Sequence, residues 1–411
     1  MRFKVFKNTV LLFVLVAISC GNKTKNEWVK SDTSTQLVQK DSSVVVGANR
    51  MDLYLPLVNG KRIGIVANQT SVVFNDNSYT HIVDSLLKHN VDIKTVFAPE
   101  HGFRGTADAG EFVKDGIDTK TGIPIVSLYG KNKKPSVEQL HGLDLIVFDI
   151  QDVGARFYTY ISSLHYVMEA CAEKNIPVII LDRPNPNGHY IDGPILEMKH
   201  KSFVGMHPVP VVHGMTIGEY AKMINGEGWL ENNIQCGLEI IPIKNYTHNT
   251  AYSLPIKPSP NLPNDTAINL YPSLCFFEGT NISVGRGTNK QFQIIGSPFY
   301  SLKSHNYEFT PIPNEGAKYP KHQGKLCSGY DLSKNEKLND LNLEWLVTFY
   351  KANKQFAKKE AFFTNFFTTL AGTEKLQKQI EDGLSIEKIK TSWTKGLMEY
   401  EQMRQPYLLY P

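Results

Sequence analysis

From residue 62 onward, short apolar runs alternate with amphipathic stretches, and this alternation limits what the chain can fold into. Runs at 62–68, 93–98, 123–128, 144–150 and 177–181 read as strands. Between them, 79–89 places Ile82, Val83, Leu86 and Leu87 on one helical face. A short helix fits 136–140, and 158–174 aligns Ile161, Leu164, Met168 and Cys171. Apolar strands separated by helices specify a mostly parallel sheet covered on both faces. Right-handed crossovers then bring the strands' C-terminal ends to one edge, where open α/β sheets bind ligands.

The residues at those ends are Asn68, Glu100, Tyr129, Asp149 with Gln151 and Asp152, and Asp182 with Arg183. Glu100 stands in Phe97-Ala98-Pro99-Glu100-His101-Gly102-Phe103-Arg104-Gly105. Pro99 cannot extend a central strand and Gly102 frees the backbone, so the acid falls just past a strand end. Polar groups from five segments converging on one edge make the geometry of a site.

The second half is less regular. A strand is expected at 211–213, and Thr216 with Glu219 forms a capping box for a helix to about 225. A further strand fits 238–243. The stretch 257–264 holds three prolines and reads as a linker. Beyond it, 271–281 repeats the apolar run, acid and glycine turn at Glu278, and Arg286 stands between Gly285 and Gly287. Helices are expected at 344–356, 373–382, 387–393 and 397–403. The expected fold class is therefore α/β: a Rossmann-like, mostly parallel sheet domain at 48–260, a smaller C-terminal α/β domain at 265–411, and a cleft between them.

The N-terminus reads as an address. Arg2, Lys4 and Lys7 precede an apolar run of signal-peptide length, and Ala17-Ile18-Ser19-Cys20-Gly21 resembles a lipobox. Residues 1–19 are then a lipoprotein signal, Cys20 the lipidated residue, and 20–47 a polar tether. The expected location is the cell envelope, on a membrane through that lipid. Removing the three basic residues of the signal takes the formal charge from +4 to +1. That balance gives no support for a nucleic-acid partner.

Several chemistries lack their signatures. No G-x-G-x-x-G follows the first strand and no Walker loop is present, so neither a nucleotide nor another cofactor is expected. Neither a G-x-S-x-G elbow nor an H-E-x-x-H helix occurs. The cysteines at 171, 236, 275 and 327 have no zinc spacing. His101, His165, His207 and His213 form no i, i+4 pair on a helix, so no metal site is assigned.

What remains is a set of carboxylates near strand ends: Glu100, Asp149, Asp152, Asp182 and Glu278. Glycoside cleavage needs a neutral acid to protonate the leaving oxygen and a second group at the oxocarbenium-like centre. Crowded, half-buried carboxylates supply such an acid. Arg104, Arg156, Arg183 and Arg286 sit on glycine- or proline-bounded turns and suit a substrate bearing a carboxylate. Tyr158 could stack on a sugar face. Internal ion pairing is the competing role for the aspartates and arginines.

Residues 97–105, 149–160 and 182–186 resemble blocks of the NamZ-type exo-β-N-acetylmuramidases. So do 277–281 with 285–288, and the closing Tyr407-Leu408-Leu409-Tyr410. The resemblance runs in order from about residue 50. It implies a glycosidase releasing N-acetylmuramic acid from the non-reducing end of peptidoglycan fragments, with an active site between two domains. It maps the family's proposed catalytic glutamate onto Glu100. Asp149 or Asp182 is expected to assist. Arg104, Arg156 or Arg286 is expected to hold the lactyl carboxylate, and His101, Asp152, Tyr158, Arg183, Asn185 and Glu278 to line the substrate site. The rival classes are a lipid-tethered protein that binds wall fragments without turnover, and a metal-dependent hydrolase.

Overall fold

A computed structural model describes residues 43–104, 115–299, 305–356 and 361–411, which belong to one compact unit. The signal, Cys20 and nearly all of the tether lie outside the described residues. The chain enters through α1 (Met51–Val58), which was not expected, and β1 (Arg62–Ala67). A hairpin of β2 (Val72–Asn75) and β3 (Ser78–His81) precedes α2 (Ile82–Lys88). Residues 79–81 are thus strand, not the start of a helix, because they pair with 72–74.

Then follow β4 (Asp92–Ala98), β5 (Gly116–Ile117), β6 (Pro124–Ser127), α3 (Val137–Leu140), β7 (Leu145–Asp149), α4 (Tyr160–Glu173) and β8 (Val178–Leu181). α5 (Ile217–Gly226) and β9 (Leu238–Ile241) complete the sheet. Its order is β5-β6-β4-β1-β7-β8-β9, parallel throughout except where β5 meets β6. The connections reverse direction at β1, so the crevice past its end is the topological switch point.

Successive residues of one strand feed opposite faces, which is why these strands are apolar without alternation. Leu145 and Val147 of β7 pack in a core with Val83 and Leu86 of α2; Ile146 and Phe148 pack with Leu164 and Met168 of α4. That second core continues without a break into the C-terminal helices.

Thr216 and Glu219 form the expected capping box at α5. Residues 211–213 are not a strand. Val212 makes isolated bridges to Ala155 and Asp192 instead. The apolar run at 271–281 is helical: α6 (Asp265–Leu274) runs into a 3-10 turn, Cys275–Gly279. The remainder holds β10 (Ile294–Ser297), β11 (Tyr307–Phe309) and β12 (Cys327–Asp331) in a small antiparallel sheet. It closes with α7 (Glu344–Phe356), α8 (Asn365–Ala371), α9 (Lys375–Glu381), α10 (Ile386–Thr391) and α11 (Thr394–Arg404). No helix among the described residues is long and apolar enough to cross a membrane.

The tail returns to the first half. Glu219 Oε1 accepts from Leu409 N at 2.8 Å and Tyr410 N at 3.3 Å, and Tyr410 Oη donates to Asp182 Oδ2 at 2.6 Å. The capping carboxylate of α5 therefore also grips the end of the chain.

Candidate active site

β4 ends at Ala98, and the next residues close a tight turn in which Gly102 N donates to Pro99 O at 3.0 Å. His101 takes φ 73° and Gly102 φ 77°. A left-handed histidine costs roughly 1 kcal/mol, and such strain persists where surrounding structure enforces it. The turn presents Glu100 at the switch point. There Thr159 Oγ1 donates to Glu100 Oε2 at 2.9 Å. Tyr160 Oη accepts from Asn68 Nδ2 at 2.8 Å and contacts Glu100 O at 3.4 Å. Three strand-end segments thus converge on this one acid.

Glu100 opens on a cavity of about 680 Å³. That volume suits a small-molecule site of roughly 300–1,000 Å³. Glu100, His101, Tyr158 and Thr159 form one side, and Glu278, Arg286, Tyr319 and Lys321 come from the second half of the chain. Aromatic rings pack edge-on around it: Tyr271 lies 5.4 Å from Phe157, 5.9 Å from Tyr158 and 5.0 Å from Phe292. Tyr158 Oη donates to Pro258 O at 2.7 Å, and Gln69 Nε2 also reaches that carbonyl. The proline-rich stretch read as a linker is folded onto the strand ends, and its Ser259, Asn261 and Leu262 form part of the wall.

Of the twelve residues expected to act as catalytic or substrate groups, the cavity wall contains Glu100, His101, Tyr158, Glu278 and Arg286. The others are engaged elsewhere. Asp149 is fully buried and holds Arg183 through bonds of 2.6 and 2.9 Å. Burial pushes the Asp149 carboxyl up, against the pull of Arg183. Asp182 is also sealed, accepting from Thr216 Oγ1, Gly218 N, Arg183 N and Tyr410 Oη. Burial raises its carboxyl to about 7. Neither aspartate lines the cavity, so the expected assistance to Glu100 is not what their positions provide.

The arginines divide in the same way. Arg104 pairs with Asp118 at 2.7 Å, and that hydrogen bond holds the Asp118 carboxyl down to about 2. Arg156 is completely buried and donates to the carbonyls of Pro194, Val209, Leu370 and Ala371. It ties α8 to the first half rather than facing a substrate. Asp152 turns back onto Gly154 N at 2.7 Å, and Asn185 donates to Met215 O at 2.9 Å. Arg286 alone among the expected arginines reaches the cavity. It sits between Gly285 and Gly287, both at φ 78°, and binds Glu278 through Nε at 2.6 Å and Nη2 at 3.2 Å.

Thr159 and Lys321 are among the wall residues that were not anticipated. Thr159 carries the hydrogen bond to Glu100 but stands one residue from the tyrosine that drew notice. Lys321 lies in a loop without apolar periodicity; only the run Lys318-Tyr319-Pro320-Lys321-His322, basic and aromatic, hinted at a binding surface. Cys171, Cys236, Cys275 and Cys327 are buried free thiols. Among the described residues the one carboxylate cluster that could hold a cation is Glu169, Glu173 and Glu231, and Lys134 already pairs with two of its members, at 2.8 Å from Glu169 and 2.7 Å from Glu173.

The fold recurs in solved structures. A crystal structure of a DUF1343 family protein from Bacteroides fragilis NCTC 9343 superposes with a TM-score of 0.81 at 47% identity, covering 90% of this chain and 99% of that one. A second DUF1343 family structure from the same organism gives 0.76 at 28% identity with the same coverage. Among curated proteins, the peptidoglycan beta-N-acetylmuramidase NamZ of Bacillus subtilis (strain 168) is 40% identical over 383 residues, covering 87% of this chain and 89% of that protein. Residues 63–266 match the N-terminal domain of the exo-beta-N-acetylmuramidase NamZ family and residues 269–410 its C-terminal domain. With both domains matched in order around a cavity headed by Glu100, the chain belongs to the NamZ exo-β-N-acetylmuramidase family.

Proposed function

We propose that this protein is a glycoside hydrolase that releases N-acetylmuramic acid from the non-reducing end of peptidoglycan fragments, serving cell-wall turnover or recycling. The observation that carries the reading is Glu100 at the switch point, opening on a cavity of sugar-binding size within a chain of this family. Glu100 is the general acid: it protonates the glycosidic oxygen as the bond to the anomeric carbon breaks. Thr159 orients its carboxyl, and Tyr160 steadies the turn that carries it. Glu278 also lines the cavity, but its oxygens are held by Arg286. Aromatic edges such as Tyr158 furnish the apolar lining that a pyranose ring packs against.

Turnover of a chromogenic β-N-acetylmuramyl glycoside by wild type and Glu100→Gln tests this. The variant is expected to lose about 100-fold or more in kcat with KM little changed. Near-wild-type kcat would remove Glu100 from the role. Free N-acetylmuramic acid appearing from a defined wall fragment establishes the exo action, whereas binding without release would mark a capture protein.

The lipobox at Cys20 supports a further part of the proposal, that the enzyme is held at the cell envelope by an N-terminal lipid. Cys20→Ala should move it from the membrane fraction to the soluble one; an unchanged distribution would discard the anchor.

A further inference from the structure

Resting on that reading, we infer that Arg286 and Lys321, held around Glu278, form an anion subsite that selects sugars carrying an ionised carboxylate. The three side chains line the same cavity as Glu100. Glu278 receives Arg286 side-on through Nε and Nη2, which leaves Nη1 with no protein acceptor among the described residues. Phe292 lies 5.1 Å beneath the guanidinium carbon and fixes its plane.

Lys321 supplies the second charge. Its Nζ donates to Thr280 O at 2.5 Å, Phe277 O at 3.1 Å and Glu278 O at 3.4 Å. Carbonyls orient an ammonium without neutralising it, and no carboxylate among the described residues forms an ion pair with Lys321. Two cations around one carboxylate leave the group of Arg286, Lys321 and Glu278 a net charge of +1. Burial draws the lysine down to about 8, with Glu278 opposing that fall and Arg286 adding to it. Near neutral pH it is therefore mostly charged, and an arriving anion would hold it so.

A half-buried surplus cation needs a counterion, and a carboxylate on the substrate supplies one in a space partly shielded from water. N-acetylmuramic acid differs from N-acetylglucosamine by a lactyl ether that ends in a carboxylate. Arg286 Nη1 is placed to donate to such a group, and Lys321 to add its field. In this arrangement Glu278 orients the guanidinium rather than reacting.

The test compares two chromogenic β-N-acetylmuramyl glycosides, one with the free lactyl acid and one with its methyl ester. Wild type should favour the acid in kcat/KM. Lys321→Met should reduce the acid-to-ester ratio by about tenfold or more, chiefly through KM for the acid, while ester turnover persists. Lys321→Arg should keep most of the preference. Equal losses on both glycosides would show that Lys321 only braces its loop, and an unchanged ratio would show that it does not sense the anion; either overturns the inference alone. Arg286→Lys, read the same way, serves where Lys321→Met does not fold. A wild type that cleaves neither glycoside overturns the glycosidase reading, and this inference with it.

Discussion

The hydroxyl of Tyr410 lies 2.6 Å from Asp182 Oδ2, joining the C-terminal segment to the residue that follows β8. The Asp182 carboxyl, raised by burial to about 7, lies above its unfolded value of about 3.9. The folded chain therefore holds this proton more tightly. Stability from this group is complete below about pH 4 and is lost as pH rises toward 7. Tyr410→Phe removes a donor that the ionised form needs more than the neutral one. It should cost about 1–3 kcal/mol, and more at pH 8 than at pH 5, in thermal unfolding. Equal losses at both pH values would mean that Asp182 does not titrate in this window.

Asp149 and Arg183 are a sealed bidentate pair, so removing either leaves the other charge buried and uncompensated. Asp149→Asn and Arg183→Met should each lower stability by roughly 3–5 kcal/mol. The double variant should cost less than the sum of the singles. Urea unfolding of all four proteins closes the cycle, and strict additivity would contradict the coupling that the geometry requires.

Arg156 satisfies four carbonyls drawn from 194, 209, 370 and 371. Arg156→Met strands them in the interior, with an expected loss of about 3 kcal/mol or more. KM of the remaining folded enzyme should stay near wild type. A selective rise in KM with intact stability would restore Arg156 to the substrate site.

Thr159→Val keeps the shape of the cavity wall and removes the hydroxyl that orients Glu100. A hydrogen bond to the neutral acid is worth roughly 0.5–1.5 kcal/mol, so kcat should fall about two- to tenfold while the melting temperature barely moves. Unchanged kcat would place the orienting contact elsewhere.

The sheet was legible because its strands are short and apolar on both faces. β1, β4, β6, β7 and β8 all fall on the expected runs, and the box at Thr216 and Glu219 announced α5. The residues 271–281 were not legible as helix, since a short continuous apolar run has no period to separate helix from strand. Nor does proximity to a strand end say which way a side chain turns. Asp149, Asp182 and Arg183 stand at the right edge but point into the fold, where each satisfies another buried polar group. Glu100 escaped that fate because Pro99 ends its strand and a left-handed turn lifts it clear. Lys321 carried only the faint local signal of a basic, aromatic run, as its importance arises from Arg286 and Glu278, which the chain brings beside it only after folding.

The cavity wall is divided in kind as well as in sequence. Glu100 hangs from a strand buried in the centre of the sheet, where a shift would disturb two cores at once. Arg286, Tyr319 and Lys321 hang from loops of the second half, whose replacement leaves the sheet untouched. On the proposed reading, proton delivery is consequently conservative by construction, and recognition is the part free to drift. Descendants of this scaffold could exchange one acidic sugar for another by redrafting a few loop residues, without renegotiating the strand that carries the acid.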